Sequence, residues 1–192
     1  MIKKPITAII MAGGQSLRMA GKDKGLLMLK DKPMFRYLIE RLISQVDELM
    51  LNANRHQDDY AQAGYRVFTD LIAGYQGPLA GIYSGLFYAK YDWVIFVSCD
   101  TPFIPNDLVQ KLMQGLGNHK AAYVNDGQRD HPTLLLINKQ LQPVLKQYLD
   151  EGNRKLQFFL DTVDAVAVDF SDDNDCFINI NTPEELIYWN QR

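Results

Sequence analysis

The chain has 192 residues, 47% hydrophobic and 22% charged, proportions of an ordinary globular protein rather than a disordered, collagen-like or disulfide-stapled one, and its length fits one domain, 1–192. A net charge of −3 argues against a broad basic face for nucleic acid, and no apolar run approaches the ~20 residues of a membrane span. Cys99 and Cys176 stand far apart with no C-x-x-C pair, which points away from a disulfide framework or a cysteine metal site and fits a reducing cytoplasm.

Short β-rich runs alternate with helix-period segments, the pattern of a parallel sheet with crossover helices. Strands are expected at Ile6 to Ala12, Glu48 to Asn52, Arg66 to Phe68, Trp93 to Ser98, Ala121 to Val124, Thr133 to Ile137 and Val166 to Asp169. The apolar stretch of the first is short for a signal peptide's core. After Pro33, suited to a first helical turn, Met34, Phe35, Leu38, Ile39, Leu42, Ile43 and Val46 recur at three- and four-residue spacing, a helix packed on the core. Further helices are expected at Ala80 to Ala89, Pro105 to Gln114, Gln140 to Leu149, Lys155 to Leu160 and Pro183 to Gln191. Asn125-Asp-Gly127 between two apolar runs signals a hairpin with a type I′ turn, so the sheet is expected to be mixed, mostly parallel with antiparallel pairing toward one edge.

In open α/β sheets ligands sit at the carboxyl ends of the strands. The first strand is followed by Gly13-Gly-Gln-Ser-Leu-Arg-Met-Ala-Gly-Lys-Asp-Lys24, the second ends on Asn52, the third leads to Asp70, and Trp93 to Ser98 leads to Asp100. From Gln15 to Lys32 the residues Arg18, Lys22, Lys24, Lys30 and Lys32 face only Asp23 and Asp31, a net +3 in an acidic chain, which suits a compact anion. The glycine loop is not a Walker A loop, which needs Gly at 16 and Ser or Thr at 23, where Ser16 and Asp23 stand; nor does it carry a dinucleotide fingerprint. What remains is a loop whose backbone amides, with Arg18 and Lys24, could neutralise a triphosphate, or a tight turn with solvated lysines. Asp100 suits Mg²⁺, which takes one or two carboxylates and fills its other positions with phosphate and water; a cap on the following turn is the other reading of Asp100, and of Asp70. Cys99 reads as a small buried hydrophobe, and His56 and His119 as surface residues.

Met11-Ala-Gly-Gly-Gln-Ser-Leu-Arg-Met19 with Asp23-Lys-Gly25 resembles the signature of the nucleotidyltransferases that build molybdenum cofactor dinucleotides, and within them the molybdenum cofactor guanylyltransferases, the MobA family. The likeness continues through Leu51-Asn-Ala-Asn-Arg-His-Gln57, Gly77-Pro-Leu-Ala-Gly81, Cys99-Asp-Thr-Pro102, Asp126-Gly-Gln-Arg-Asp-His-Pro-Thr133, Asp169-Phe-Ser171 and Asn179-Ile-Asn-Thr-Pro-Glu-Glu-Leu186, nearly the whole chain in order. One departure is Ala20, where the motif commonly reads Gly.

The resemblance implies a Rossmann-like three-layer α/β/α sandwich of nucleotidyltransferase type. It implies transfer of GMP from GTP to the terminal phosphate of the molybdenum-molybdopterin cofactor, with release of pyrophosphate. Met11, Ala12, Gly13, Lys24, Asn52, Asp70 and Asp100 match the positions that hold the nucleotide, and Asp100 also matches the Mg²⁺ ligand. Arg18, Lys24 and Asp100 are the implied catalytic residues. Arg129, His131, Asn179 and Asn181 are implied toward the pterin, with a structural turn residue as the other reading of His131. The resemblance leaves room for transient contacts with cofactor-delivery or acceptor proteins. A cytidylyltransferase making the cytosine form of the cofactor, and a noncatalytic nucleotide-binding module, are the alternatives.

Overall fold

The computed structural model describes residues 4–12, 23–74 and 77–192, apart from the side chain of Asn174. Seven strands form one sheet in the order β5-β4-β1-β6-β8-β7-β9, with β1 at Ile6–Met11, β4 at Glu48–Asn52, β5 at Arg66–Phe68, β6 at Trp93–Ser98, β7 at Ala121–Asn125, β8 at Asp130–Asn138 and β9 at Val166–Asp169. A ribbon of β2 (Met28–Leu29) and β3 (Lys32–Pro33) stands apart. Among the described residues only β8 runs against its neighbours in the large sheet. The carboxyl ends of the other six strands therefore share one edge with the amino end of β8, and this brings Asn52, Asp70, Asp100, Asn125 and Asp130 to the same rim.

The central strand β1 is buried along its whole length, as expected of a parallel strand covered on both faces. Its side chains alternate. Ala8 and Ile10 pack with Phe35, Leu38, Ile95, Val97, Leu108 and Leu112 on one face, whereas Ile9 and Met11 pack with Met50, Phe68, Ile82, Leu86, Phe96 and Phe159 on the other. Helices α1 (Met34–Leu42) and α4 (Leu108–Gly115) cover the first face; α3 (Pro78–Tyr88), α5 (Gln142–Asp150) and α6 (Leu156–Thr162) cover the second. The result is a Rossmann-like α/β/α sandwich. A third cluster of Leu29, Met34 and Ile180 joins the ribbon to α7 (Pro183–Asn190). Among the described residues no helix is long and apolar enough to cross a membrane.

Three expectations are corrected. A polar helix, α2 at Gln57–Ala61, fills the β4–β5 connection; its one buried residue is Tyr60, so no apolar period announces it. Strand β8 begins at Asp130, not Thr133. Its pairing with β7 jumps from Tyr123↔Leu135 to Val124↔His131, so the segment with Pro132 is an irregularity, where a residue without an N–H is tolerated. The hairpin is present but is not a two-residue type I′ turn. Residues 126–129 form its loop, closed by the Asp126 N–H donating to the Arg129 carbonyl at 3.1 Å, with Gly127 alone of its residues at positive φ (85°).

Candidate active site

The rim is assembled by backbone bonds between neighbouring strand ends. The Ala12 N–H donates to the Asn52 carbonyl at 2.8 Å, the Cys99 N–H to the Met11 carbonyl at 3.0 Å, and the Ile180 N–H to the Asp100 carbonyl at 2.8 Å. The last of these brings the segment before α7 against the end of β6. Lys24 opens a 3-10 turn, Lys24–Leu26, and its Nζ reaches Asn181 Oδ1 at 2.5 Å and Asp100 Oδ2 at 3.5 Å. Both members of the ion pair keep about a fifth of their side chains exposed, 18% for Lys24 and 19% for Asp100. The neighbouring Thr101 hydroxyl donates to Asn179 Oδ1 at 3.0 Å.

A second carboxylate is fixed at the end of β5. Asp70 Oδ1 accepts from Asn52 Nδ2 and Oδ2 from Asn54 Nδ2, both at 2.9 Å, while the Asp70 N–H donates to Asn54 Oδ1 at 2.9 Å. The first turn of α3 comes up against this group. A Cβ at Gly81 would lie 2.7 Å from Asn52 Oδ1, so only glycine admits that approach. Asn54 and Asp70, with Ile72, Ala73 and Gly74, line an open cavity of about 190 Å³.

The four residues implied toward the pterin divide into two pairs. Asn179 and Asn181 lie on Thr101 and Lys24, beside Asp100. Arg129 sits in the hairpin loop with 58% of its side chain exposed and Nε 3.9 Å from Asp126 Oδ2. His131, in contrast, is 5% exposed. Its Nε2–H donates to Asp126 Oδ2 at 2.7 Å and its ring lies 5.4 Å from that of Phe177. The imidazole supports the hairpin from inside and does not project from it. Gly13 and Arg18 lie outside the described residues.

Cys99 is buried, and burial, then Asp100 and Asp23, push its thiol well above the ordinary value. It is a neutral core thiol. Among the described residues no group of three His, Cys, Asp or Glu side chains could hold a metal by itself. A single accessible carboxylate nonetheless fits Mg²⁺ in a nucleotide site, because phosphate oxygens and water supply the remaining ligands. Asp100, on the rim and partly exposed, has that character.

Two residues, one at this rim and one beneath it, escaped sequence reasoning in their roles. Asn54 was legible only as part of the Asn52-Ala-Asn-Arg55 segment. Tyr60, on a helix without apolar period, places its hydroxyl 2.5 Å from Asp23 Oδ1, a contact that no local pattern signals.

Residues 8–166 match the MobA-like NTP transferase domain. The chain belongs to that family. A protein of Yersinia pseudotuberculosis serotype O:1b (strain IP 31758), named molybdenum cofactor guanylyltransferase, is 48% identical over 97% of this chain and 96% of its own length. Among solved structures, the molybdopterin-guanine dinucleotide biosynthesis protein A of Archaeoglobus fulgidus superposes with a TM-score of 0.75 at 18% identity, covering 96% of this chain and 97% of that one. A nucleotidyl transferase of Methanothermobacter thermautotroptrophicus gives 0.75 at 16% identity over 97% and 96%. At such identities the two structures speak for the fold, the nucleotidyltransferase sandwich.

Proposed function

We propose that this MobA-like transferase, working as one domain of 192 residues, moves GMP from GTP to the terminal phosphate of the molybdenum-molybdopterin cofactor. A phosphate oxygen of the pterin attacks the α-phosphorus of GTP, a new phosphoanhydride forms, the α–β bond breaks and pyrophosphate leaves. The observation that carries the reading is the junction of Lys24 with Asp100 and Asn181 on the strand-end rim, in a chain 48% identical to relatives named for this activity.

The attacking group needs no protein base. A phosphate monoester has its second pKa near ~6, so at neutral pH the oxygen is already a nucleophile, in keeping with the buried, protonated Cys99. The task left to the protein is to bring two anions together and to stabilise charge on the α-phosphate and on pyrophosphate, which is positioning and electrostatics. Lys24 supplies a cation from a fixed turn, and Asn181 aims it. Asp100 would hold Mg²⁺, which when bound neutralises phosphate charge. Met11, Ala12 and Gly13 offer backbone groups to the nucleotide, Arg18 adds a cation, and Asn52 and Asp70 form the polar wall of the nucleotide pocket. Asn179 holds the Thr101 side of the junction. Arg129 faces the pterin phosphate, with His131 bracing its hairpin. The work is done in the cytoplasm, through transient contacts with cofactor-delivery or acceptor proteins.

The test is pyrophosphate release by the purified protein with molybdenum-molybdopterin, Mg²⁺ and GTP, CTP or ATP in turn. GTP is expected to win strongly, since polar groups matched to one base are left unpaired against another and can discriminate by ~10⁴ or more. Comparable kcat/KM for CTP moves the protein to cytidylyl transfer. Nucleotide binding without pyrophosphate release makes it a binding module.

A further inference from the structure

Lys24 is held from below by a buried pair that lies off the rim. Tyr60 is 0% exposed, its ring set edge-on against Phe35 with centroids 4.9 Å apart. Its hydroxyl donates to Asp23 Oδ1 at 2.5 Å, and the same oxygen accepts from the Gly25 N–H at 3.2 Å, capping the turn on which Lys24 stands. A Cβ at Gly25 would lie 2.3 Å from the Tyr60 oxygen. Phenol and turn are therefore fitted to each other, with the phenol occupying the space that a side chain at 25 would need.

Asp23 is 7% exposed, and its second oxygen, Oδ2, is buried with no hydrogen-bond partner among the described residues. A buried carboxylate is costly unless its oxygens are paired. Among the described residues Tyr60 is the one side-chain donor to Asp23, and the carboxylate depends heavily on it. Burial, then Cys99 and Asp23, raise the Tyr60 hydroxyl far above its ordinary value, so it remains a donor throughout the working range. A tight turn alone could be capped by an exposed Ser or Asn; a core tyrosine aimed at a buried aspartate one residue before Lys24 does more than cap.

We propose that Tyr60, acting through Asp23, is a positioning residue for the transfer: it fixes the turn 23–26 and so aims the Lys24 ammonium at the reacting phosphates. This rests on the reading of Lys24 as a phosphate ligand. Displacing a positioned group by a fraction of an ångström to 1 Å can cost up to ~10² in rate, and the phenol is the link whose loss frees the turn without removing the cation.

The experiment is a double-mutant cycle of Tyr60→Phe with Lys24→Ala, read as kcat and KM for GTP and for the pterin, with thermal melting of each variant. Tyr60→Phe keeps the ring on Phe35, and a folded protein is expected with kcat down about tenfold and KM for the pterin unchanged. In the Lys24→Ala background the same change should have no further effect, because residues acting through one group are not additive. Asp23→Ala goes through the same cycle as a second variant should Tyr60→Phe fail to fold, with the same expectation. Equal losses in both backgrounds overturn the proposal, as does a wild-type rate for folded Tyr60→Phe. Those outcomes leave the Lys24 assignment standing if Lys24→Ala is itself impaired. Wild-type turnover by Lys24→Ala removes both.

Discussion

Asp100 and Asp126 follow strands β6 and β7 on the same rim, the first partly exposed and the second buried, and belong to different parts of the molecule's work. Asp126 accepts from the Gln128 and Arg129 N–H groups at 2.8 Å each and from His131 at 2.7 Å. Burial disfavours its carboxylate, yet these donors outweigh that cost and hold the group at about 2, below the ordinary 3.8. Asp100 has a 3.5 Å ion pair with Lys24 and a long 3.4 Å contact from Thr101. Internal donors thus commit Asp126 to the fold and leave Asp100 with capacity for a ligand. The count of such donors, more than position in the sheet, separates a carboxylate that builds the rim from one that serves it.

The sharpest test of the contrast is Asp100→Asn, expected to lower turnover by roughly 10³ with the melting temperature almost unmoved. Near wild-type turnover at low millimolar Mg²⁺ would erase the distinction. Lys24→Ala is expected to cost about 10² in turnover and to weaken GTP binding; calorimetry showing wild-type affinity, with a wild-type rate, removes its role.

The opposite pattern is expected on the other side of the rim. His131→Ala takes away the ring packed on Phe177 and leaves Asp126 without its side-chain donor, a loss of roughly 2–3 kcal/mol. For a chain of this size that is about 5–10 °C in Tm, with modest change in kcat of the folded enzyme. The pH dependence follows from Asp126. Its folded carboxyl is depressed, so its contribution is present above the unfolded value of about 3.8 and is lost as pH falls through that value toward about 2. The Tm gap between wild type and Asp126→Asn should therefore be widest near neutrality and shrink below pH ~4. A gap independent of pH shows that the carboxylate charge does not matter there.

The parallel half of the sheet was legible because β1, β4 and β6 are short, largely apolar runs, and polar residues stand at or just past the ends of β4, β5 and β6. Those ends, read with the rule for open α/β sheets, pointed to Asn52, Asp70 and Asp100. What stayed hidden was set by which donors and side chains meet in space, some from near in the chain and some from far. Whether Asp126 or Asp100 is internally paired depends on where Gln128, Arg129, His131 and Lys24 arrive in space; in sequence Asp126 read as part of a hairpin turn and Asp100 as a Mg²⁺ ligand or a turn cap. His131 beside Pro132 had two readings, and the sequence does not show that its ring is buried against Phe177, 46 positions away by residue number. Tyr60 lay in a segment whose Gln57, Asp58 and Asp59 resemble a loop, and its partner Asp23 is part of the motif that drew attention to Lys24 instead.

The smallest expected effect belongs to Arg129→Ala, and it asks whether the hairpin serves a ligand at all. Arg129 is mostly exposed and its nearest acid, Asp126, is 3.9 Å away and already held by three donors. The guanidinium therefore contributes little to stability, since exposed pairs are worth roughly 0–1 kcal/mol, and it retains donors for a phosphate, which arginine can bind with two parallel hydrogen bonds. Its backbone is fixed by the loop, its N–H bound to Asp126 and its carbonyl to the Asp126 N–H. A cation on such a base reaches a limited volume, and the acceptor phosphate must approach over this part of the rim if GTP lies along Asn52, Asp70 and Asp100. Removal should raise KM for the pterin about three- to tenfold, the worth of one ordinary, solvent-exposed hydrogen bond, while the GTP dissociation constant and Tm stay put. Measuring both affinities in the one variant decides the matter: a loss confined to GTP places the hairpin on the nucleotide side, and no change in either makes Arg129 a solvated residue of the loop.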